Sequence, residues 1–546
     1  NDPRNTPESR GSGLWKSVDG GQTWKPINQG LPRPEHRGRI GLDLAASNPD
    51  ILYAFVDNYE LWDPPADPKA TEKSAEDDAY GRPKGKPIKG FTVWRSNDGG
   101  ATWKLASTVT KETASYAGTY GWVFGQIKVD PVNPDKVYAM GVPLVVSEDG
   151  GKSWRELKGM HGDHHGLWID PANPDYLVNA NDGGVNLSYD GGKHWRHMVD
   201  IGGGQFFNVA VDHANPFRVY GSMQDHGSFR ATVDLRRGRD KVKPQAFETT
   251  VGWEGSQHDS DPHNPDVIYG AGFYGDLQRA DYAQRDARGR FVTTRIKPKK
   301  DADGPELRCQ WLAPFLVSPH DPKTLYFGSQ FVHRSKDRGD TWERISPDLT
   351  AFNPATQGDI PYHTLFTLTE SPLQPGLLYA GTDDGRLWTS KNDGKAWSEV
   401  SAGLAPGKWM SRAVASAFDR NTVYITQNGK RDDDFAAYVW KSVDGGKTWA
   451  SLASGVPLGP VNVIREDTRD PKTLYLGTDH GVLATTDGGA TWHPLGNLPS
   501  TYVHDLQVHP RDRILVAATH GRGLWVLDLH TLMHKEAAPK GTAPAQ

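Results

Sequence analysis

The chain has 546 residues and a formal net charge of -5 at pH 7, too little single-sign field to favour nucleic acid or an anionic membrane as partner. No apolar run reaches the roughly 18 residues that a membrane-spanning helix needs, and a single cysteine, Cys309, excludes an internal disulfide framework. The 19 Trp, 60 Gly and 39 Pro in a 36% hydrophobic chain suit many short strands joined by tight turns.

The polar start, Asn1-Asp-Pro-Arg-Asn-Thr-Pro-Glu-Ser9, contains no signal peptide and reads as an N-terminus left after processing or truncation. The first element is the stretch Ser17-Val-Asp19-Gly-Gly21-Gln-Thr23-Trp24. It recurs at Ser96–Trp103, Ser147–Trp154, Ser188–Trp195, Ser335–Trp342, Ser442–Trp449 and Thr485–Trp492. A worn copy, Ser390–Trp397, carries Asn392 for Asp and Ala396 for Thr. In Ser/Thr-x-Asp-x-Gly-x-Thr-Trp, the Asp and Ser/Thr oxygens can bond backbone N–H groups of a tight turn. The glycines permit positive φ, and the Trp anchors the turn on the sheet. Each copy predicts a stapled β-hairpin.

Between these hairpins runs a second repeat: an apolar strand A, a turn often of Asp-Pro-x-Asn-Pro-Asp type, and a strand B that usually carries a Tyr. Its copies begin near residues 40, 125, 166, 207, 255, 314, 366, 411, 462 and 505. With the hairpin strands as C and D, each unit is a four-stranded antiparallel meander. The period of roughly 40–50 residues marks a β-propeller. The expected fold is therefore all-β, a β-propeller of about ten blade repeats over 1–530. One large ring is the reading adopted, and part of a tandem two-propeller protein is the alternative. The copies at 207 and 255 lack a box. Residues 57–90 and 280–304 read as loop insertions, and 531–546 as a C-terminal tail.

The boxes resemble the Asp-boxes, or BNR repeats, of sialidases, of the xyloglucanase family and of sortilin-type receptor ectodomains. A closer resemblance is to bacterial secreted proteins of sortilin-like or glycosyl-hydrolase-like type. It is carried by His161-Gly-Asp-His-His165-Gly-Leu-Trp168, Gln224-Asp-His-Gly227, Arg344-Ile-Ser-Pro-Asp-Leu-Thr350 and Ala518-Thr-His-Gly-Arg-Gly523. The resemblance implies a propeller, an extracytoplasmic (periplasmic or secreted) location, and a polysaccharide or peptide partner.

Strand direction alternates in a meander, so A-entry and B–C loops share one face while A–B turns and boxes share the other. The repeating residues are scaffold. The non-repeating polar residues collect on the first face: Tyr120-Gly-Trp122, His161–His165, Gln205-Phe-Phe207, Trp253–His258, Arg308–Trp311, Tyr362-His363, Lys408-Trp409, Tyr502-Val-His504, and the acids and histidines of the B–C loops. Aromatic faces stack on sugar rings or side chains, while acids and amides bond hydroxyls or backbone.

Three readings compete there. Hydrolysis of a glycosidic bond needs two carboxyl groups about 5–9.5 Å apart, and Asp163, Asp182, Asp225 and Glu254 can supply them. Resemblance to the Thr-Asp-x-Gly-Gly loop holding a catalytic Asp in xyloglucanases adds Asn181-Asp182-Gly-Gly184, Thr382-Asp383-Asp384-Gly385 and Thr478-Asp479-His-Gly481. The sialidase variant needs converging arginines, for which Arg39, Arg308, Arg412 and Arg522 are candidates, but no Tyr–Glu nucleophile pair stands out. A divalent metal at Asp163, His165 and His226 is the second reading, set against an absence of any cofactor. His164 and His165 point to opposite sides of an extended segment, so at most one faces a given ion. The third reading is binding without chemistry, with His164, His165, Gln224, His226, Trp253, His258, Trp311, Asp383, Asp479 and Arg522 as ligand contacts. Cys309 reads as a buried small residue and Asp432-Asp-Asp434 as a solvated loop.

Overall fold

A computed structural model describes residues 12–62, 87–117, 124–199, 201–235, 247–354, 361–457 and 459–530. Among them, a two-stranded hairpin (Trp15–Lys16 with Lys25–Pro26) is followed by nine four-stranded antiparallel sheets and one three-stranded sheet. Every sheet hydrogen-bonds its strands in chain order, as a meander does. The protein is thus all-β, built of β-propeller blades. The tail 531–546, the Tyr120-Gly-Trp122 segment and residues 63–86 of the first insertion lie outside the described residues.

The chain forms two compact units, residues 1–201 and 202–546. The first holds the hairpin and three sheets, whose A strands are Arg37–Ala45, Gln126–Val129 and His164–Ile169. The second holds seven sheets. Their A strands are Ala210–Val211, Gln257–Asp261, Phe315–Val317, Leu365–Glu370, Trp409–Ala415, Val461–Glu466 and Val503–His509. Each A strand of this unit packs on the A strand of the next sheet, and the seventh packs on the first.

Side chain-to-backbone bonds tie neighbouring A strands together. Asp259 Oδ2 accepts from Val317 N at 2.8 Å, and Thr367 Oγ1 from Ala413 N at 3.0 Å. The same link recurs between last and first, where Asp505 Oδ2 accepts from Val209 N at 3.3 Å. His509 Nε2 adds a 3.0 Å bond to the Asp212 carbonyl, and Phe206 N donates to the Thr519 carbonyl at 3.0 Å. Because the link that joins consecutive blades also joins the ends, residues 202–546 close after seven sheets and not after ten.

The B-strand tyrosines form the buried layer between sheets: Tyr220, Tyr269, Tyr326, Tyr379 and Tyr424 are all under 2% or at 2% exposed. Each such ring stabilises the fold by about 2 kcal/mol of buried apolar surface. Several keep a partner for the hydroxyl, as Tyr220 does on Asp212 (2.8 Å) and Tyr475 on Asp467 (2.7 Å).

The repeated box closes as its residue types dictate. In the copy at Ser442–Trp449, Asp444 Oδ1 accepts from Thr448 N (3.0 Å), Asp444 Oδ2 from Thr448 Oγ1 (2.7 Å), and Ser442 Oγ from Gly446 N (2.8 Å). Gly445 and Gly446 take φ of 75° and 89°, where a side chain would be strained. The Gly445 N–H donates to the Asn421 carbonyl of the A–B turn at 2.8 Å, as Gly488 does to Lys472 and Gly150 to Asp135. Box and A–B turn therefore share one end of each of these sheets. The Trp reaches further than the sequence suggested. Trp449 Nε1 donates to Val400 O (2.9 Å), Trp397 Nε1 to Ile345 O (2.8 Å) and Trp342 Nε1 to Ile296 O (2.7 Å), each just past strand D of the preceding sheet. In these copies the staple joins blades as well as closing a turn, whereas Trp154 Nε1 stays on the Gly151 carbonyl of its own box at 2.9 Å.

The reading of 280–304 as a loop insertion is corrected. Asp276–Arg285 and Phe291–Arg295 pair as strands C and D of the fifth sheet. Their turn lacks a box but has a cap: Asp286 Oδ1 accepts from Arg288 N (2.8 Å) and Arg290 N (3.0 Å), and Gly289 takes φ 77°. In the 57–90 segment, residues 57–61 continue strand Asn48–Leu61 and 88–90 begin strand Ile88–Ser96.

Candidate ligand-binding site

All seven A strands of the 202–546 unit enter the axis at the same end, and their entry residues line one cavity of about 200 Å³. Phe207, Gln257, Trp311, Phe366, Trp409 and Tyr502 come one from each entry but that of Val461–Glu466, which contributes Asn462. A second cavity of about 290 Å³ continues along the A strands and is lined by Asp259, Thr367, Arg412, Arg465 and Asp505 among others. The cavity at the mouth follows from topology: a meander that starts at the axis delivers each A-entry loop to the same point.

The aromatic side chains there are held edge to face. The Phe207 and Trp311 ring centroids lie 4.8 Å apart at 78°, and those of Phe366 and Trp409 4.4 Å apart at 83°. Tyr502 packs against His504 at 4.2 Å. Cations cap two rings: the Arg431 guanidinium lies 4.3 Å from the Trp409 centroid, and Lys430 Nζ 4.7 Å from that of Tyr502. Both come from the short 3₁₀ turn Lys430–Asp432, which Asp433 closes with φ 56°.

The amides are pinned. Asn428 Nδ2 donates to Asn462 Oδ1 (3.0 Å), and Asn462 Nδ2 to Asp479 Oδ1 (3.0 Å) and the Val503 carbonyl (3.2 Å). Gln310 Nε2 donates to Asp383 Oδ2 at 3.2 Å while its Oε1 accepts from Trp311 N at 2.6 Å. Burial pushes the Asp383 carboxyl up to about 6 against the lowering pull of two bonds from Thr364. At the floor, Asp505 Oδ1 meets Arg412 at 3.0 Å and Arg465 at 2.9 Å, and burial lowers Arg465 to about 10 despite Asp505. His504 Nε2 lies 3.0 Å from His520 Nδ1, and burial, then the His520 ring, lower His504 to about 3. The pair is neutral at physiological pH.

Trp311, expected from the sequence, lines this cavity, and Phe207, Gln257, Gln310, Trp409, Tyr502 and His504 join it as the A-entry reading requires. Asp383 and Asp479 stand behind the wall as partners of Gln310 and Asn462. Arg522 is exposed, its N–H on Thr519 Oγ1 at 3.1 Å. His258 was expected to contact ligand. It is instead 8% exposed, with Nε2 bonded to the Val251 carbonyl at 3.0 Å, and burial lowers it to about 4. Trp253 is 53% exposed outside the cavity. Gln224, Asp225, His226 and Glu254 form a local network: Glu254 Oε2 accepts from Asp225 N (2.6 Å), Gln224 Nε2 reaches both carboxylates (3.1 and 3.3 Å), and His226 Nδ1 meets the Gln224 carbonyl (2.9 Å).

In the 1–201 unit, Asp163 adopts φ 62°, and its carbonyl accepts from Asp182 N at 3.2 Å. His165 Nε2 lies 2.8 Å from Asp182 Oδ1. Its neighbour His164 points the other way, buried, with Nδ1 2.9 Å from Asn179 Oδ1, so it is removed from any ligand surface. Two of the arginines named for a carboxylate triad are each paired with an acid, Arg308 with Asp348 at 2.7 Å and Arg412 with Asp505 at 3.0 Å.

Sequence reasoning missed Phe366, Ser411, Asn428, Arg431 and Asn462. Asn428 ends strand Val423–Asn428 and Arg431 follows it in the B–C position, where other sheets carry conspicuous Asp and His residues. Here the Asp432-Asp-Asp434 run drew the eye to solvent, although Lys408 holds Asp434 at 3.1 Å.

Fold and cavity together define a β-propeller with an axial, aromatic-lined cavity. The sequence matches no family model and no curated protein. Among solved structures it is similar to a GH74 enzyme of Niastella koreensis, at 12% identity and a TM-score of 0.33, over 94% of this chain and 87% of that one.

Proposed function

We propose that the 202–546 unit binds an extracellular glycan at its axial mouth, without turning it over. The observation that carries this reading is the cavity lining: aromatic rings and pinned side-chain amides, with no carboxylate among the lining residues. Aromatic rings bury the apolar faces of sugars while amides pair with hydroxyls. Hydrolysis would require two acids across a cleft. Asp163, Asp182, Asp225 and Glu254 line neither axial cavity, and Glu254 is engaged on the backbone of Asp225. An extracytoplasmic location belongs to this proposal; among the described residues, no helix is long and apolar enough to cross a membrane.

Affinity electrophoresis of the full chain through gels containing plant and bacterial polysaccharides tests it. Retarded migration on at least one polysaccharide, lost in Trp311→Ala and unaccompanied by released reducing sugar, is expected. Unretarded migration on every polysaccharide, or release of reducing sugar, overturns the reading.

A further inference from the structure

Aromatic side chains continue from the mouth across the loops of the fifth sheet. The Trp311 carbonyl accepts the Tyr274 N–H at 3.1 Å. Tyr274 and Phe273 belong to the B–C turn Phe273–Gly275, and their rings meet edge to face at 5.8 Å and 86°. Gly272, the residue before them, packs on Trp253, for a side-chain carbon there would lie 3.7 Å from Trp253 Cβ. Contacts therefore run from Trp311 through Tyr274 and Phe273 to Trp253, and of these four only Trp311 lines the cavity. Tyr274, Phe273 and Trp253 are 38%, 39% and 53% exposed, an apolar patch held in water beside the mouth.

The rings are also fixed. Each indole rests on glycine backbone: a side-chain carbon at Gly227 would come within 3.1 Å of the Trp253 ring, and one at Gly255 within 3.0 Å of the Trp311 ring. Tyr274 takes φ 57° and ψ 30°, left-handed values that strain a residue with a side chain, and such strain collects where ligands are held. Its carbonyl accepts from Lys297 Nζ at 2.7 Å, which ties the turn down. Rings placed in advance lose little freedom on binding. A row of them matches a ligand that offers apolar faces in succession, as the sugar rings of an unbranched polysaccharide do.

We propose that the axial mouth is one end of a binding track and that its ligand is an unbranched polysaccharide, with one sugar ring at Trp311 and those that follow over Tyr274, Phe273 and Trp253. This rests on the glycan-binding reading above and narrows it from a single sugar to a run of consecutive ones. Stacking carries the recognition, and the track is continuous with the cavity through Trp311.

The test is calorimetric titration of the full chain with cello-, manno-, xylo- and chito-oligosaccharides, each as the disaccharide and the hexasaccharide. In at least one series the hexasaccharide should bind tenfold or more tightly than the disaccharide. Trp253→Ala should cut hexasaccharide affinity at least fivefold, and Trp253→Tyr should keep most of it. Phe273→Ala removes the neighbouring ring and leaves the indole on its glycine; it should cut hexasaccharide affinity at least threefold, whether or not Trp253→Ala folds. Phe418→Ala removes a 40% exposed ring from an A–B turn, at the end of the sheets away from the mouth, and should change nothing. Equal binding of the two lengths overturns the inference and leaves glycan binding standing. A hexasaccharide advantage that survives the Trp253 and Phe273 variants, or that Phe418→Ala lowers as much as they do, also overturns it. Failure of every series to bind at either length removes the glycan-binding reading itself.

Discussion

Asp505 Oδ2 accepts the backbone N–H of Val209 at 3.3 Å, while its Oδ1 holds Arg412 at 3.0 Å and Arg465 at 2.9 Å. One carboxylate thus joins the last A strand of the 202–546 unit to the first and neutralises part of the charge under the cavity. Removing it leaves two guanidinium groups in a buried setting with no carboxylate between them. Asp505→Ala should cost about 3–5 kcal/mol, the usual penalty for breaking a buried ion pair from one side. Asp259→Ala removes the equivalent inter-strand bond where no arginine is involved, and should cost about 1–2 kcal/mol. Denaturant unfolding of the two variants checks the ranking; equal losses would mean that the arginines do not depend on Asp505.

The box aspartates give the fold an acid limit. Bonds from the Thr102 hydroxyl and N–H hold Asp98 at about 2, and Thr341 does the same for Asp337. Their folded values lie below the unfolded carboxylate value of about 3.9. The stability they contribute is therefore present above that pH and lost as pH falls towards 2. Thermal midpoints should be level with respect to these groups above pH 4 and drop between pH 4 and 2. Asp98→Asn together with Asp337→Asn should lower the midpoint at pH 7 and flatten the acid drop; an unchanged acid slope would refute the assignment.

Asp383 has the opposite sign. Burial lifts its carboxyl to about 6, above the unfolded value, so the folded state holds a proton that the unfolded state has lost between about pH 4 and 6. Stability from this group falls as pH rises through that window. Asp383→Asn should remove this contribution, measured as the pH dependence of the midpoint from pH 4 to 7. Its effect should be separable from that of the boxes, because the two act in different windows.

How much of this was legible in the chain follows from what repeats. The Ser–Asp–Gly–Thr–Trp spacing encodes its own turn, so the hairpins and the meander could be read directly. Alternation then sorted Trp311, Trp409 and Tyr502 to the cavity end. Arg431 escaped because its position depends on stacking over Trp409, a contact between different loops that no local pattern records. The hairpin at Asp276–Arg295 escaped because Arg and Asp residues on its outer face masked the buried Leu277, Ala280 and Tyr282. His258 had the composition of a ligand contact but is needed to bond the Val251 carbonyl inside the sheet stack. The closure after seven sheets rests on Asp505 and His509, each indistinguishable in sequence from other strand residues.

The worn box at Ser390–Trp397 offers a stabilising change. Asn392 Oδ1 still accepts from Ala396 N at 2.9 Å, and Ser390 Oγ from Gly394 N at 3.0 Å, so the turn has kept its geometry. What it lacks is the hydroxyl bond that Thr448 makes to Asp444 in the intact copy. Asn392→Asp with Ala396→Thr should restore it and add about 1 kcal/mol, the value of one hydrogen bond. Ala396→Thr alone should add less, since Asn392 Nδ2 would donate to the new hydroxyl in a neutral bond, weaker than the bond a hydroxyl makes to a carboxylate. Differential scanning calorimetry decides, and a fall in midpoint for the double variant would refute the account.

Trp311 and Glu254 separate recognition from scaffold. Trp311 lines the mouth with its ring 4.8 Å from that of Phe207, whereas Glu254 lies outside both axial cavities and accepts the Asp225 N–H at 2.6 Å. Trp311→Ala should weaken glycan binding at least tenfold, about 1.4 kcal/mol or more, as loss of an aromatic anchor does. Glu254→Ala should leave that affinity within a factor of two and instead destabilise the Gln224–His226 turn by about 1–3 kcal/mol, because a partly buried N–H loses its acceptor. If Glu254→Ala abolished a glycan-cleaving activity while Trp311→Ala left it intact, the acids of that turn would be the working groups and the axial mouth would be an accessory surface. The same two variants, assayed for binding, reducing-sugar release and thermal midpoint, therefore decide between a lectin-like ring and a hydrolase.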